Sequence, residues 1–552
     1  MKYKDLTDEI IEEAATIYRD RSLSWDTRIR MCGDLFGGKS ERRTRSWLSE
    51  LGISTDKEIR SPQYEEAKKR KANQKVRRFL ITWGQSETSP HDQFMNNLEV
   101  YAKFLEADIH VIAGRYKNPT SLTSSRKVRD SETWHSRLVP YLDAARHDLH
   151  EHLAVISDVK IQPTAINPMS GLQSISGPKS CVIGSPRVHM ESVSVLENQP
   201  HKVMMTTGAC THPNYTDTKA GKKGVFHHTI GFVVVEIEDK HTVHMRQVTA
   251  DEKGNFMDLW HSVENGDILP TGAEALVMGD IHYGNHDQKV LDITREDMIP
   301  WLNPKHVILH DLFDGYSINH HHDNDPFMQY AKEYHNTNEL ASEIDQMIEF
   351  LTTIDAKKVV VVRSNHDDFI DRWLKNTDWR KQTTAKNNEL YMEFSRILME
   401  QYKKDPENVK GVLPELITSR LPYKKYNTLG KNDSYTVKGW ELGHHGDIGT
   451  NGSRGGLNQF RNLNSKVVVA HYHSPERKDG ALSVGTSTKL RMGYNLGPSR
   501  WMHGHVIIHP NGKAQHLLIN INDKGVPSYT TVGKTVFNIL TYADRGDSPD
   551  TE

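Results

Sequence analysis

The C-terminal half of the chain repeats one pattern, and this pattern constrains the fold more than any other feature of the sequence. From about residue 270 onward, short apolar runs alternate with longer segments of helical spacing. Buried parallel strands are short and almost continuously apolar, and helices connect them, so the alternation predicts an α/β fold. Five of the runs end directly in metal-ligand residue types. These runs are 275–278, 307–309, 359–362, 440–443 and 467–469.

The residues that follow the five runs form a coherent set of metal ligands. In chain order they read DxH at 280–282, DxxD at 311–314, NHD at 365–367, HHG at 444–446 and HxH at 471–473. Open α/β folds assemble their sites at the carboxyl ends of strands. Oxygen and imidazole ligands suit Mn²⁺, Mg²⁺ or Fe²⁺, and the set exceeds what one ion needs. The blocks therefore predict two metal ions that share a carboxylate, as in phosphoryl transfer. A chance cluster is the alternative, but burying such groups without a metal is costly.

The order and spacing of the five blocks resemble those of the calcineurin-like metallophosphoesterases, including the SbcD-type nucleases, over about residues 272–510. The resemblance implies a C-terminal four-layer α/β/β/α domain that hydrolyses phosphate esters with two divalent cations. It also implies a role for each residue. The first metal would be held by Asp280, His282 and His473, and the second by Asn365, His445 and His471. Asp311 would bridge the two metals. His366 would bind no metal and would steady the transition state or protonate the leaving oxygen.

Some positions depart from the family pattern or lie beside it. Glycine is usual before the bridging Asp, before the Asn-His pair and before HxH, where this chain has His310, Ser364 and Ala470. His444 is the alternative to His445 as a ligand. Neighbouring acidic residues are expected to orient the ligating histidines. These are Asp314, Asp367 and Asp447. The histidine run 320–322 is expected in a surface loop, with substrate contact as the alternative.

The N-terminal segment 1–60 predicts three short helices. A glycine turn at 37–38 before a basic third helix is the outline of a helix-turn-helix, and a plain three-helix bundle is the alternative. Lys or Arg occupies seven of the eleven positions 68–78, overlapping a basic linker at 61–77. This run is either a solvated linker or a phosphate-contacting strip. The candidate DNA contacts are Arg42, Arg43, Arg45, Lys68, Lys69, Arg70 and Lys71.

Residues 78–268 predict an α/β middle domain of unknown role. A strand at 79–83, a helix at 93–105 and a strand at 109–113 favour a βαβ opening. Its histidines and Cys210 match no zinc spacing, so structural roles are favoured over a metal site. The metallophosphoesterase domain is predicted at 269–525, with a C-terminal tail at 526–552. Within that domain, Asn511-Gly512 predicts a hairpin on a type I′ turn.

These observations favour a divalent-metal-dependent DNA nuclease, with Mn²⁺ preferred and Mg²⁺ or Fe²⁺ as alternatives. Over a wider stretch the chain resembles the early host-DNA-degradation proteins of T5-like phages. This implies a cytoplasmic enzyme whose partners are DNA and further copies of itself. The alternatives are a phosphatase or phosphodiesterase for proteins or small nucleotides, and a DNA-binding regulator with a non-catalytic domain.

Charge and hydropathy narrow the function classes. The chain has 552 residues with 70 Lys and Arg against 72 Asp and Glu, a net charge of −2, which excludes a uniformly basic nucleic-acid coat. The apolar runs are strand-sized, and the acidic N-terminal segment lacks the apolar core of a signal peptide.

Overall fold

The computed structural model describes residues 2–20, 23, 25–53, 62–73, 75–116, 133–381 and 384–532. These residues form a mixed α/β structure with several sheets. The helices are α1 Asp8–Arg19, α2 Trp25–Leu35, α3 Glu41–Glu50, α4 Pro62–Ala67, α5 Asp92–Leu105, α6 Lys219–His227, α7 Gln288–Ile293, α8 Ile299–Leu302, α9 Pro326–Tyr334, α10 Leu340–Thr352, α11 Asp368–Asn376, α12 Asn387–Lys404, α13 Val412–Arg420 and α14 Leu457–Phe460.

The strands are shorter and more numerous than the helices. They are β1 Arg78–Gln85, β2 Asp108–Gly114, β3 Leu142–Asp143, β4 Arg146–His150, β5 Leu153–Ile156, β6 Ser180–Ile183, β7 His189–Val193, β8 Lys202–Thr206, β9 Gly231–Ile237, β10 Val243–Thr249, β11 Phe256–Asp258, β12 His261–Glu264, β13 Asp267–Pro270, β14 Ala275–Val277, β15 His306–Leu309, β16 Lys358–Val361, β17 Tyr426–Thr428, β18 Thr436–Val437, β19 Trp440–Glu441, β20 Lys466–Val469, β21 Glu476–Lys478, β22 Ala481–Ser483, β23 Gly504–Ile508, β24 Ala514–Leu518, β25 Asn520–Ile521 and β26 Pro527–Ser528.

A six-stranded sheet has the order β17-β16-β15-β14-β23-β24. Its first four strands are parallel, and β14 pairs with β23 in the antiparallel sense. Alternate residues of the parallel strands point to opposite faces. One face packs on helices α10 to α13, with Leu276 and Val307 against Ile344 and Leu351. The parallel arrangement predicted from the apolar runs is confirmed here.

A ten-stranded sheet has the order β18-β19-β20-β22-β21-β7-β8-β6-β5-β4. It joins strands from two distant parts of the chain, because β21 pairs with β7 in an antiparallel register that sets Arg477 opposite Met190. The strands of 146–206 and those of 436–483 therefore belong to one hydrogen-bonded sheet.

The six-stranded and ten-stranded sheets pack face to face. Val277, Ile308 and Val360 of the former share a buried cluster with Val468 and Leu482 of the latter. These residues are fully excluded from solvent. Because the parallel strands of both sheets end near the same place, the loops beyond them converge.

The predicted βαβ opening of the middle region is confirmed. Strand β1 pairs with β2 in parallel across helix α5, and the five-stranded sheet has the order β10-β9-β1-β2-β3. At the N-terminus, Thr7 accepts a hydrogen bond from the Ile10 amide and caps α1, as its position predicts. Helices α1 to α3 enclose a small core that includes Cys32, Phe36 and Leu48.

The hairpin between β23 and β24 is present, but the predicted type I′ turn is wrong. A type I′ turn needs positive φ at both central residues, and only Gly512 (φ 74°) has it in this loop. The His509 amide donates to Lys513 O, and the Gly512 amide donates to His509 O. The connection is therefore a longer loop with one left-handed glycine.

The described helices include none that is both long enough and apolar enough to cross a membrane. The predicted C-terminal tail lies outside the described residues from 533 onward.

Candidate metal centre

The six-stranded sheet carries four of the predicted ligands on the loops after three adjacent parallel strands. Asp280 and His282 follow β14, Asp311 follows β15 and Asn365 follows β16. Parallel pairing places the carboxyl ends of these strands side by side. Residues distant in sequence therefore meet at one edge of the sheet.

The ten-stranded sheet supplies the other three. His445 follows β19, and His471 and His473 follow β20, which is parallel to β19. The backbone of Asp280 forms a bridge with Thr486, beyond β22, so the loops of the two sheets are joined directly. Both halves of the site are thus built on packed strands.

The first group of converging atoms comes from Asp280, His282, Asp311 and His473, whose ligand atoms all lie within 4.8 Å of one another. All four side chains are buried. His473 Nε2 is 3.0 Å from Asp280 Oδ2, and His282 Nε2 is 3.3 Å from both Asp311 Oδ2 and His473 Nε2. This group contains the three predicted ligands of the first metal and the predicted bridge.

The contact of His282 with Asp314 determines which ring nitrogen of His282 faces the other candidate ligands. His282 Nδ1 donates to Asp314 Oδ1 at 2.9 Å, which leaves Nε2 facing Asp311 and His473. A neutral imidazole would present a lone pair there, towards a carboxylate oxygen and a second imidazole. A metal ion between these atoms turns the repulsion into coordination.

The second group consists of Asp311, His445 and His471, again with ligand atoms within 4.8 Å of one another. His445 Nε2 lies 3.1 Å from Asp311 Oδ2 without the alignment of a hydrogen bond. His445 is buried and His444 is not in this group, so the structure favours His445 over His444. Asp311 is the residue that the two groups share.

Buried polar atoms without hydrogen-bond partners concentrate at this site. Such atoms are costly unless something else binds them. Within the described part of the chain they include Asp280 Oδ1, Asp311 Oδ1, Asn365 Oδ1, both ring nitrogens of His445 and His473 Nδ1. The Asn365 oxygen is a hard ligand type on the loop that follows β16, beside the loop that carries Asp311. The donor set therefore fits two divalent cations.

Four of the candidate ligands have a left-handed backbone. The φ angles are 45° for His282, 42° for Asp311, 72° for His471 and 54° for His473. Non-glycine residues adopt this region at a cost of about 1–3 kcal/mol each, and such strain clusters at functional sites. The tight turns direct these side chains back over the strand ends.

The charges of the site depend strongly on one another. Burial alone would raise the pKa of the Asp311 carboxyl, but His445 and His282 outweigh it and hold that pKa well below its usual range. Burial opposes protonation of His445, yet Asp311 and Asp280 raise its pKa to about 9. When no cation is bound, protonated histidines thus balance the negative charge of the carboxylates. A bound metal ion would replace those protons.

His366 lies at the mouth of the site. Its Nδ1 donates to the backbone oxygen of Asp314 at 2.8 Å, and its ring packs edge-on to His282, with centroids 4.2 Å apart. Phe369 stacks on its other side. Burial and the neighbouring His282 lower the pKa of His366. Nε2 is therefore the nitrogen left to exchange a proton with a bound molecule.

Asp314 orients the histidines, as the sequence predicted. It accepts from His282, and Asn285 Nδ2 donates to its other oxygen at 2.8 Å. The carboxylate of Asp367 instead accepts a hydrogen bond from the Ser364 amide, within the loop that follows β16. Of the three acidic neighbours, Asp314 is the one that contacts a candidate ligand.

Three positions at which the sequence analysis expected glycine do not require it. His310, Ser364 and Ala470 all have negative φ, so none needs the freedom of glycine. His310 is fully buried, and burial lowers its pKa to about 3. Its ring lies 5.7 Å from that of His445, centroid to centroid.

The predicted DNA contacts have different surroundings. Arg42 and Arg43 are exposed on α3, whereas Arg45 pairs with Glu41. Lys68 and Lys69 form ion pairs with Glu65 and Glu66, and Lys71 is exposed. Arg70 donates to the backbone oxygens of Pro140 and Ile109, so it serves the packing of the middle region.

Two histidines of the middle region form hydrogen bonds within the fold. His228 contacts Thr211 O and the Tyr215 hydroxyl, and His244 contacts Glu238. Cys210 is buried. Those three residues are absent from the groups of converging ligand atoms in the described part of the chain. Two such groups do lie in the middle region, however, one of His110, Asp143 and His147 and the other of Glu151, His152 and His241. The histidine triple 320–322 forms a short 3-10 helix in which His321 is exposed.

Sequence reasoning missed one part of the site, an open groove beside His471. The groove has a volume of about 570 Å³ and is lined by Arg454, Arg500, Tyr472 and Trp501. The Trp501 ring packs on His473 with centroids 4.1 Å apart. The sequence around Trp501 does not indicate this contact, because only the fold brings the ring against the candidate metal ligand His473.

A comparison of the sequence with those of known proteins relates this chain to a phage protein. It is similar to Protein A1 of Escherichia phage T5, with 29% identity over 454 residues that cover 79% of this chain and 81% of that protein. No protein-family model and no solved structure matches the chain.

Proposed function

We propose that the protein is a divalent-metal-dependent nuclease that hydrolyses phosphodiester bonds of DNA. The observation that carries the proposal is the position of Asp311, which belongs to both groups of converging ligand atoms. Mn²⁺ is the preferred ion for this oxygen and imidazole set, with Mg²⁺ and Fe²⁺ as alternatives. Asp280, His282 and His473 would hold one ion, and Asn365, His445 and His471 the other.

The fold supports a metallophosphoesterase architecture. Two sheets pack face to face, and helices α10 to α13 cover the outer face of the six-stranded one. The small helix α14 packs on the outer face of β20 and β22. We interpret these layers as the four-layer α/β/β/α arrangement that the five sequence blocks predict.

The chemistry follows from what each side chain can do. When bound, two divalent cations would neutralise phosphate oxygens and activate water for attack on phosphorus. His366 would take up on Nε2 the proton released by the attacking water and give it to the departing oxygen, because its Nδ1 is held by the Asp314 carbonyl. Asp314 would fix both His282 and His366.

The groove beside His471 supports a nucleic-acid substrate. Arg454 and Arg500 provide positive charge for backbone phosphates, and the rings of Tyr472 and Trp501 provide surfaces for bases. The similarity to a phage T5 protein supports a role in phage infection, which we propose to be degradation of host DNA in the host cytoplasm.

The test is incubation of the purified protein with plasmid and linear duplex DNA in Mn²⁺, Mg²⁺ or chelator. We expect metal-dependent degradation that His366→Ala lowers by about 10²–10⁴-fold and Asp311→Ala abolishes. His335→Ala changes an exposed histidine outside the 320–322 run and serves as the matched control.

Two results would contradict the proposal. Faster turnover of phosphomonoesters or cyclic nucleotides than of DNA would identify a phosphatase or phosphodiesterase. Binding of one DNA sequence without hydrolysis, with or without Mn²⁺, would identify a regulator.

A further inference from the structure

A second cavity lies at the far end of the strand that leads to the metal centre. It has a volume of about 710 Å³ and is lined by Lys466, Arg477 and Lys513. Lys466 begins β20, whereas His471 and His473 follow the end of that strand. Since the four residues of β20 span about 13 Å, the two sites are separate.

Arg477 is the anomalous residue of this cavity. It is 7% exposed, and among the described residues its guanidinium forms one long hydrogen bond, of 3.4 Å from Nη1 to Ala514 O. Its buried Nε has no hydrogen-bond partner among the described residues. Burial lowers the pKa of Arg477 to about 10, and the negative charge of Asp479 offsets only part of this effect. A buried guanidinium normally forms direct bonds with a carboxylate or phosphate.

Two lysines add to this excess of positive charge. Across the described ranges, neither Lys466 nor Lys513 forms an ion pair, and Lys466 Nζ lies 5.6 Å from the centre of the Trp440 ring. Burial, Lys466 and Arg477 lower the pKa of Lys513, and Asp251 and Glu252 only partly offset them. The three cations therefore repel one another across the cavity.

The nearest carboxylate is already engaged. Asp479 accepts two hydrogen bonds of 2.7 Å from Arg187 and one of 2.9 Å from Arg461. It also contacts His189 at 3.2 Å. Asp479 is thus surrounded by cations and cannot neutralise Arg477 as well.

We propose that this cavity binds the phosphate group of a nucleotide or of a nucleic-acid strand, separately from the metal centre. Arginine and lysine side chains converging on one space are the usual recognition of phosphate, and a phosphate bound there would neutralise the guanidinium of Arg477. The volume is in the range of small-molecule sites. Phe226, which is 82% exposed at the rim, offers a surface on which a base can stack.

The experiment measures binding to the full-length protein by calorimetry in EDTA, so that the metal centre does not contribute. The probes are inorganic phosphate, deoxyadenosine 5′-monophosphate and a short single-stranded oligonucleotide without terminal phosphates. We expect binding that the double variant Lys466→Gln with Lys513→Gln weakens by about tenfold or more. Arg477→Gln tests the buried guanidinium separately.

The matched control removes two exposed lysines elsewhere, Lys357→Gln with Lys424→Gln, and should bind as the unchanged protein does. Tightest binding of the monophosphate identifies a nucleotide site, and tightest binding of the oligonucleotide identifies a strand site. If Arg477→Gln fails to fold, the double variant Lys466→Gln with Lys513→Gln still decides the question.

The proposal is overturned if none of the three probes binds, or if the cavity and control variants bind alike. It is also overturned if Asp311→Ala removes the binding, because the phosphate then occupies the metal centre. These outcomes are independent of nuclease activity.

Discussion

Asp314 shows how a residue beside the ligands sets the geometry of the site. It accepts from His282 Nδ1, and its backbone oxygen accepts from His366. It therefore fixes the ring nitrogen that each histidine presents. Removing its charge should disturb metal binding while leaving every ligand in place.

We expect Asp314→Asn to weaken Mn²⁺ binding by about 10–100-fold, the usual effect of losing a partner behind a ligating histidine. Equilibrium dialysis with elemental analysis measures the affinity and the stoichiometry. Asp355→Asn, a change at an exposed aspartate, is the control. Unchanged affinity in Asp314→Asn would mean that His282 needs no orienting partner.

The buried carboxyl of Asp143 should make the free energy of unfolding depend on pH. Burial alone would raise the pKa of the Asp143 carboxyl, but hydrogen bonds from His110 and His147, at 2.9 and 2.8 Å, hold it below its usual range. A carboxyl whose pKa is lower in the folded state stabilises the protein above the unfolded pKa. This stabilisation is lost as the pH falls through the folded pKa.

The free energy of unfolding should therefore decrease on acidification below about pH 5, and less steeply in Asp143→Asn than in the unchanged protein. Denaturant titrations in EDTA at several pH values measure the two slopes. Equal slopes would show that Asp143 contributes nothing to the acid dependence.

Among the elements, a buried ionic network joins the middle sheet to the C-terminal half. Arg246 on β10 donates to both oxygens of Asp258 on β11, at 2.6 and 2.7 Å. Asp258 also accepts from Gln515 on β24 at 2.8 Å, and Arg246 contacts Glu236 at 2.8 Å. These contacts fix three sheets relative to one another.

Arg246→Met should lower the free energy of unfolding by about 3–5 kcal/mol, because two carboxylates stay buried without their cation. Chemical denaturation measures the change. Arg396→Met breaks an exposed pair with Glu400 and should change stability by less than about 0.5 kcal/mol. A small effect of Arg246→Met would contradict the structural role of the network.

At the scale of the whole molecule, the ten-stranded sheet makes the two halves of the chain interdependent. Strand β21 pairs with β7, more than two hundred residues earlier, and Asp479 binds Arg187 across the same junction. A fragment of residues 269–525 would leave the β21 edge unpaired and expose the side chains buried against it.

We expect this fragment to be insoluble when produced alone, and to be recovered as a soluble complex when co-expressed with residues 1–268. Affinity purification through a tag on one fragment measures the recovery. A fragment that unfolds cooperatively by itself and binds two metal ions would contradict this expectation. It would instead support the domain boundary predicted near residue 269.

Removal of the metal ions should also lower the free energy of unfolding of the whole molecule. The site brings buried carboxylates together on a left-handed backbone, so ions that bind only the folded state stabilise it. At a free Mn²⁺ concentration of 100 times Kd, each site should add about 2.7 kcal/mol. Thermal unfolding in Mn²⁺ and in EDTA measures the difference, which Asp311→Asn should largely abolish. An equal difference in that variant would place the stabilising ions elsewhere.

The sequence by itself determined the local features. Each ligand block is contiguous and follows an apolar run, so residue order alone located Asp280, Asp311 and the HxH pair, and helical periodicity located α5, α10 and α12. The strands between 142 and 193 escaped prediction because they are short and irregularly spaced, and their stability comes from pairing with distant strands.

Only the tertiary structure decided which groups meet. It brought two sets of histidines around Asp311, with His445 as the sequence analysis preferred, and it packed Trp501 against His473. It also gathered Lys466, Arg477 and Lys513 around one cavity. Such contacts join residues that have no relation along the chain, and the pairing and packing of the two sheets fix them.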